Sequence, residues 1–220
     1  MEKSKKKIKN YLFYDFVRIT AVIPGLLWFR IRNIYSTEKA RQKIKDGALL
    51  ISNHSGDIDP VIAMFSIWNR RHHFIATSEL FDSKIKRFLF ERFHCIEIDK
   101  QNVSMNTFRE IVDHLQKGKL VSMFPEGHIT KSEEVQKFKS GAVLMAVTAK
   151  KPIIPIYIKK RKNIWQRQVV VVGEPINPFE MFGKMPSLSD MDKIAELLKE
   201  KEIELKKIAD NTLGGNKNEI

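Results

Sequence analysis

The stretch that decides the fold is "ALLISNHSGDIDP", residues 48–60. It begins with the apolar run Ala48 to Ile51, which predicts a strand covered on both faces, as in a parallel sheet. It ends in Asp59-Pro60, a pair typical of a helix start. Because ligands of open α/β sheets bind at the carboxyl ends of the strands, the polar connection between this strand and helix is a candidate site.

The alternation of short apolar runs with longer helical stretches continues along the chain. It predicts an α/β fold in which helices flank a mixed, largely parallel sheet. Pro155 lies within one of the runs and predicts an edge position or a bulge there, because proline has no N–H to donate. The six predicted strands are Ala48–Ser52, His73–Ala76, Cys95–Ile98, Leu120–Phe124, Ile153–Ile158 and Val169–Val172.

The N-terminal segment differs from the rest in charge and aromatic content. Its first 35 residues hold eight Lys or Arg and two acidic residues, together with seven Tyr, Phe and Trp side chains. Such a segment suits the interface of a membrane, with aromatic rings in the lipid and cations toward anionic headgroups. We therefore expect a membrane-docking helical segment over residues 1–40 and an α/β domain over residues 41–220.

The same segment is too short in its uncharged part to predict a membrane-spanning helix. Only eleven residues, Ile19 to Phe29, lack charge, whereas a span needs about 20. Pro24-Gly25 is expected to break the helix, and no small-residue cleavage site follows it as in a signal peptide. The alternative to interfacial docking is an ordinary first helix that packs on the core.

Composition limits the remaining classes of protein. The chain has 220 residues, 43% of them hydrophobic, and a formal net charge of +13, which favours a polyanionic partner such as an anionic membrane or nucleic acid. No nucleic-acid-binding module is recognisable, so we expect no nucleic acid partner. The single cysteine, Cys95, excludes a disulfide framework and fits a reducing compartment.

His54 and Asp59 are the candidate catalytic pair. A turn at Gly56 can fold the carboxylate back onto the imidazole, which would fix the tautomer and leave the second ring nitrogen as a base for an alcohol. The alternative is that Asp59 only caps the helix and His54 is a loop residue. We expect no metal, since the adjacent His72 and His73 point to opposite sides of a strand.

Three further segments carry charge or turn residues at predicted strand ends or helix starts. They are Pro125-Glu126-Gly127 after the fourth strand, Asp99-Lys100 after the third, and Lys137 with Lys139 before a helix. Each suits a ligand at the carboxyl edge of the sheet or an anion at a helix N-terminus. Each can also be a surface turn or a solvated charge pair. The sequence offers no nucleophile elbow and no phosphate loop.

The order of these motifs resembles the glycerolipid acyltransferases, and the bacterial 1-acyl-sn-glycerol-3-phosphate acyltransferases are the most similar type. The resemblance covers roughly residues 44–176. The segments that carry it are "NHSGDID" (53–59), "CIEIDK" (95–100), "FPEGHIT" (124–130), "FKSGA" (138–142), "IIPIYI" (153–158) and "GEPI" (173–176).

The resemblance implies transfer of a fatty acyl group from a thioester to the free hydroxyl of 1-acyl-sn-glycerol-3-phosphate, giving phosphatidic acid in phospholipid biosynthesis. Residues 41–220 would be the acyltransferase domain. His54 would be the general base and Asp59 would orient it, with no covalent enzyme intermediate. The residues implied to bind substrate are Asn53, Ser55, Lys100, Pro125, Glu126, Gly127, His128 and Lys139.

The resemblance also implies the donor and the location. No bound cofactor is implied. The donor would be acyl-CoA or acyl-(acyl carrier protein). The enzyme would lie on the cytoplasmic face of the cell membrane, as a peripheral or monotopic protein.

The sequence departs from the family at three positions that usually carry a basic residue. They are Thr77, Lys100 (where arginine is usual) and Ile129. Since such cations are thought to hold the acceptor's phosphate, acyl transfer to a different lysolipid or glycerol phosphate is an alternative. An esterase or thioesterase could use the same base on water, and the charge alone would suit a non-enzymatic protein that binds anionic lipid or nucleic acid.

Overall fold

The computed structural model describes residues 10–99, 103–125, 140–163, 165–182 and 186–214. The strands are β1 (Arg32–Tyr35), β2 (Ala48–Ser52), β3 (His72–Thr77), β4 (Ile96–Ile98), β5 (Leu120–Met123), β6 (Ile153–Ile158) and β7 (Val169–Val172). The helices are α1 (Leu12–Phe29), α2 (Asp59–Ser66), α3 (Lys84–Arg92), α4 (Met105–Gln116), α5 (Ser140–Ala149), α6 (Pro178–Phe182) and α7 (Leu188–Gly214). A 3₁₀ turn, Ser78–Phe81, follows β3.

The strands form one sheet in the order β1-β7-β6-β2-β5-β3-β4. β6, β2, β5, β3 and β4 run parallel to one another, whereas β7 is antiparallel to β6 and β1 is parallel to β7. The predicted α/β fold with a mixed, largely parallel sheet flanked by helices is confirmed. β2 lies near the centre of the sheet, so its carboxyl end opens at the middle of the sheet edge.

The predicted strands are all present, and three of them have the predicted bounds: β2, β6 and β7. The remaining three differ by one residue at one or both ends. The structure adds β1, which lies inside residues 1–40 and pairs with β7. The sheet therefore extends into the N-terminal segment, and the division of the chain at residue 40 stays a prediction about function.

β2 is buried along its whole length because helices cover both faces of the sheet. Leu49 and Ile51 contribute to a core that α4, α5 and α7 cover, and Ala48 and Leu50 contribute to a core that α1 and α2 cover. Successive strand residues point to opposite faces, so a continuous apolar run is the sequence that a two-sided burial requires.

Pro155 lies in the interior of the sheet, so the edge position that its sequence predicted is wrong. β6 pairs with β2 on one side and with β7 on the opposite side. The Pro155 carbonyl accepts the Gly173 N–H at 2.8 Å, directly beyond the last paired residue of β7. Proline has no N–H to donate back to Gly173, so the regular pairing of β6 with β7 ends at Pro155. A Cβ on Gly173 would lie 2.9 Å from the Pro155 oxygen, so only glycine fits there.

α1 is a continuous helix of 18 residues, so the predicted break at Pro24-Gly25 is wrong. Gly25 packs directly against the ring of Phe65 in α2, where a Cβ would lie 2.2 Å from the ring edge. Pro24 has no N–H to donate to the Thr20 carbonyl. Both residues are exposed, so this unpaired carbonyl lies on the exposed side of the helix. Close packing of α1 on α2 thus outweighs one missing hydrogen bond.

Polar side chains fix the beginning of α1 to the beginning of β3. The buried Tyr14 hydroxyl accepts the His72 N–H at 2.9 Å, and Tyr11 contacts His73 Nε2 at 2.9 Å. Asp15 accepts two hydrogen bonds from Arg71, at 2.9 and 2.7 Å. Burial raises the pKa of Tyr14 to about 12, so its hydroxyl stays protonated. α1 is therefore a docked part of the fold along one side.

The opposite side of α1 is an apolar stripe, which we call the α1 stripe. Its members are Leu12, Phe16, Ile19, Ile23 and Leu27, each 64–75% exposed. By length and composition alone, α1 would suffice to cross a membrane, although signal sequences and core helices can pass the same test. An exposed apolar stripe on an anchored helix is the amphipathic arrangement that an interface with lipid requires.

Candidate active site

The connection after β2 begins with Asn53, whose buried side chain is engaged with the backbone of β6. Its Nδ2 donates to the Ile158 carbonyl at 3.0 Å, and its Oδ1 accepts the Ile158 N–H at 2.7 Å. These two bonds continue the pairing of β2 with β6 beyond its last backbone pair. Both polar atoms of Asn53 thus hold the start of the turn in place, and its contact with substrate stays a prediction.

His54 and Asp59 meet as the sequence suggested. A single oxygen, Asp59 Oδ2, lies 3.2 Å from His54 Nδ1 and accepts the backbone N–H groups of Ser55 at 2.6 Å and Gly56 at 2.9 Å. Asp59 is the first residue of α2, after the N-cap residue Ile58, and makes no capping hydrogen bond. The interpretation of Asp59 as a helix cap is therefore wrong, because its carboxylate turns back to satisfy the N–H groups of the turn.

This contact determines which nitrogen of His54 is free. A carboxylate only accepts hydrogen bonds, so Nδ1 donates to it, and in the neutral imidazole Nε2 then carries the lone pair. Within the part of the chain that the structure describes, no group hydrogen-bonds to Nε2. The His54 side chain is 17% exposed and that of Asp59 only 4%. The imidazole is therefore partly accessible, while its carboxylate partner is sheltered from water.

The ring of Phe124 stacks on the ring of His54, a contact that the sequence did not predict. The two ring centroids are 4.3 Å apart with an interplanar angle of 25°. Phe124 follows β5, which pairs with β2, so both rings leave the same edge of the sheet. Phe74 of β3 lies parallel behind Phe124 at 6.4 Å. The signal in the sequence was an aromatic residue at the end of a predicted strand, directly before Pro125.

Several predicted substrate-binding residues lie outside the described residues. They are Lys100, Glu126, Gly127, His128 and Lys139, together with Ile129, where the family usually has a basic residue, and the cations Lys131 and Lys137. Pro125 is buried, and it is the last described residue before the undescribed range 126–139. The motif that carries Glu126 and Gly127 thus begins at the ring that contacts His54.

Thr77 and Asp99 lie farther along the same sheet edge. Thr77 ends β3, two strands from β2, and Asp99 follows β4, three strands from β2. Since neighbouring strands are about 4.8 Å apart, these positions are about 10 and 14 Å from the end of β2. The Thr77 hydroxyl donates to Glu79 at 3.2 Å.

Asp57 and Ser55 have lesser parts in the turn. Asp57 is exposed, and Ser55 contributes its backbone N–H to the carboxylate of Asp59. No group of three metal-ligating side chains occurs among the described residues. The described geometry suits proton transfer: a histidine with one nitrogen fixed by a carboxylate and the second available to remove a proton from an alcohol.

Comparisons with known proteins agree with this geometry. A family model described as Acyltransferase matches residues 31–159, more than half of the chain. Over 164 residues the chain is 26% identical to the 1-acyl-sn-glycerol-3-phosphate acyltransferase of Bacillus subtilis, covering 72% of this chain and 81% of the relative. It is 29% identical over 157 residues to the protein of the same name from Streptococcus pneumoniae, covering 70% of this chain and 57% of that relative.

A solved structure shares the fold. The 1-acyl-sn-glycerophosphate (LPA) acyltransferase PlsC from Thermotoga maritima superposes with a TM-score of 0.63 at 16% identity, covering 92% of this chain and 84% of that one. The family match includes His54, Asp59 and Phe124, and its range ends one residue after β6. The chain therefore belongs to the Acyltransferase family and is an enzyme.

Proposed function

We propose that this enzyme transfers a fatty acyl group from an acyl thioester to the free hydroxyl of 1-acyl-sn-glycerol-3-phosphate, giving phosphatidic acid. The donor is acyl-CoA or acyl-(acyl carrier protein). The single observation that carries the proposal is the contact of His54 Nδ1 with Asp59, which leaves Nε2 as a base. The names of the relatives from Bacillus subtilis and Streptococcus pneumoniae support the choice of acceptor.

In the proposed reaction, His54 Nε2 takes the proton of the acceptor hydroxyl as its oxygen attacks the thioester carbonyl. The imidazolium is stabilised by the carboxylate of Asp59. The tetrahedral intermediate then collapses to the ester, the carbon–sulfur bond breaks, and the thiolate takes the proton from His54. The products are one ester and one free thiol, and the enzyme returns to its starting state.

The high pKa of Cys95 supports direct transfer without a covalent enzyme intermediate. Burial of its sulfur raises the pKa of the Cys95 thiol to about 12, so the thiolate that would act as a nucleophile is disfavoured. The sequence offers no serine in a nucleophile elbow. The acceptor hydroxyl is therefore the nucleophile in this proposal.

The acceptor's phosphate needs cations, and one position where the family often has lysine is occupied by Thr77. The Thr77 hydroxyl donates to Glu79, so this position supplies a neutral side chain in place of a cation. Lys100, His128 and Lys139 are the proposed phosphate-binding residues. This departure favours, as a second candidate, the same acyl transfer to another lysolipid or to a glycerol phosphate.

We propose that residues 1–40 dock the enzyme on the cytoplasmic face of the cell membrane as a peripheral or monotopic protein, and that residues 41–220 carry out acyl transfer. The α1 stripe supports this, because five exposed apolar side chains on one anchored helix bury favourably in lipid. The net charge of +13 suits the anionic surface of that leaflet. The acceptor and product are themselves bilayer lipids, so docking brings the enzyme to its substrate.

The test is His54→Ala in the purified full chain. We expect acyl transfer to fall by at least about 10³-fold, since a general base contributes about 10²–10⁴-fold and this one also orients the hydroxyl. Vesicle binding and thermal unfolding should be unchanged. Transfer near the wild-type rate would overturn the mechanism. An acceptor panel of lysophosphatidate, glycerol-3-phosphate and neutral lysolipids, read by product mass, decides between the two acceptors, and thioester hydrolysis indifferent to any acceptor would reject both.

A further inference from the structure

We propose that the loop between β6 and β7, residues 159–168, is a second membrane contact that binds anionic lipid headgroups. This inference rests on the proposed membrane docking and gives it a second, chemically specific surface. The loop reads "KKRKNIWQRQ", with five cationic residues, one tryptophan and no acidic residue. We call it the β6–β7 loop.

Hydrogen bonds within the β6–β7 loop hold its tryptophan outward. Asn163 Oδ1 accepts the backbone N–H groups of Trp165 and Gln166, both at 3.0 Å. Gln166 Oε1 accepts the Lys162 N–H at 2.9 Å. Trp165 is 79% exposed in this arrangement. An indole exposed to water lacks the free energy that burial would supply. A lipid interface supplies it, because Trp prefers the headgroup level.

The β6–β7 loop is joined to the end of α1. Gln168 donates its backbone N–H to the Phe29 carbonyl at 3.0 Å, and Arg30 Nη1 donates to the Trp165 carbonyl at 3.2 Å. The guanidinium of Arg161 lies over the Phe29 ring, 5.1 Å from its centroid. The α1 stripe ends next to this junction, with its last member exposed two residues before Phe29. Trp165 therefore lies beside the carboxyl-terminal end of α1, where the α1 stripe ends.

The loop's charges are divided between the fold and the surface. Lys159 pairs with Asp210 of α7 at 3.0 Å and serves the fold. Lys160, Lys162 and Arg167 are exposed. Cations beside an exposed tryptophan and an apolar helix match a membrane with negative headgroups. Nucleic acid would satisfy the cations but would leave the apolar α1 stripe in water, so lipid is the partner that the surface fits.

The loop is also placed next to the site. It follows Ile158, whose backbone is held by both polar atoms of Asn53, the residue before His54. A headgroup contact at the β6–β7 loop therefore sets the height of the catalytic base above the lipid surface.

The test compares two double variants of the full chain in vesicle sedimentation. Lys160→Gln with Lys162→Gln removes two charges from the β6–β7 loop. The control, Lys43→Gln with Lys45→Gln, removes two exposed charges from the segment before β2. Because β2 runs parallel to β6, that segment lies at the opposite edge of the sheet from the β6–β7 loop. The vesicles are phosphatidylcholine with about one phosphatidylglycerol in three lipids. We expect the loop variant to bind them about 10- to 30-fold more weakly than wild type, and the control variant to bind within about threefold of wild type.

A further variant separates the apolar part of the contact. Trp165→Ala should weaken binding to pure phosphatidylcholine vesicles and to the anionic vesicles alike, by about tenfold. If the loop variant binds anionic vesicles as wild type does, or loses affinity for duplex DNA more than for vesicles, the inference is overturned. Acyl transfer by the wild-type chain in detergent micelles reports separately on the proposed function, so failure of the loop to bind lipid and failure of the enzyme to transfer acyl groups are distinguishable.

Discussion

Replacing Asp59 by asparagine removes one charge from the active site while keeping the shape of the side chain. All three hydrogen bonds to Asp59 end on Oδ2, so an asparagine can place its amide oxygen there and still accept the N–H groups of Ser55 and Gly56. His54 Nδ1 also keeps an acceptor. The Asp59→Asn variant should therefore fold, with a loss of about 1–2 kcal/mol because the two backbone bonds are no longer assisted by charge.

The catalytic loss follows from the distance between the two charges in the transition state. With Nδ1 3.2 Å from Oδ2, the imidazolium and carboxylate charges are separated by about 4 Å, and their attraction is about 4 kcal/mol at an effective dielectric constant of about 20. Since about 1.4 kcal/mol corresponds to a factor of ten in rate, kcat should fall about 10³-fold. The assay follows release of free thiol from an acyl thioester with lysophosphatidate as acceptor.

The matched control is Asp57→Asn, which makes the same chemical change two residues earlier, on an exposed side chain of the same turn. We expect the Asp57 variant to keep kcat within about threefold of wild type, because exposed charges are screened by water. If Asp59→Asn retained more than about a tenth of the wild-type kcat, or if both variants were impaired equally, the role assigned to the Asp59 carboxylate would be refuted.

Three further perturbations test the frame of the site and the pH dependence of the fold. Asn53→Ala leaves a buried N–H and carbonyl of β6 unpaired and should lower the free energy of unfolding by about 2–4 kcal/mol in urea titrations; a loss below about 1 kcal/mol contradicts its structural role. Phe124→Leu removes the ring stacked on His54 and should lower kcat about tenfold with little change in KM, and an unchanged kcat would exclude a positioning role. Burial lowers the pKa of His72 to about 4 and that of His73 to about 3, whereas both side chains titrate near 6.5 in the unfolded chain. The unfolded chain therefore binds more protons, so the free energy of unfolding should fall as the pH drops below about 6.5, by about 4 kcal/mol for the pair at pH 5. Equal urea midpoints at pH 7 and pH 5 would contradict this.

The central strands could be predicted from the sequence because strands buried on both faces are continuous apolar runs, which are easy to recognise. β2, β6 and β7 are continuous apolar runs with turn residues around them, and their predicted bounds agree with the structure. β1 was missed because it reads "RNIY" and lies at the edge, with both of its ends exposed. An edge strand owes its place to pairing with β7, which no local pattern in the sequence reveals.

The errors at proline have a common cause. Local rules predict a helix break at Pro24, but the packing of Gly25 on Phe65 keeps the helix continuous. The same rules predict a sheet edge at Pro155, but β6 pairs with a strand on each side. Within the candidate site, the contacts that could be predicted from the sequence are those inside one short turn, such as the contact of His54 with Asp59. The stacking of Phe124 on His54 joins residues distant in sequence, so it required the sheet order to be known.

The central position of β2 has a consequence for how the chain reaches its folded state. Ala48 pairs with Leu120 and Leu49 with Ile153, so both neighbours of the catalytic strand are translated long after it. Until then the nascent polypeptide carries an apolar strand with two unpaired edges, a species prone to aggregate or to recruit chaperones. α1 precedes β2 in the chain, so it leaves the ribosome earlier and is free to settle on the proposed lipid surface while translation continues. The strands that frame the candidate active site are thus complete only when β6 has been translated, well after α1 has become free to reach the proposed membrane surface.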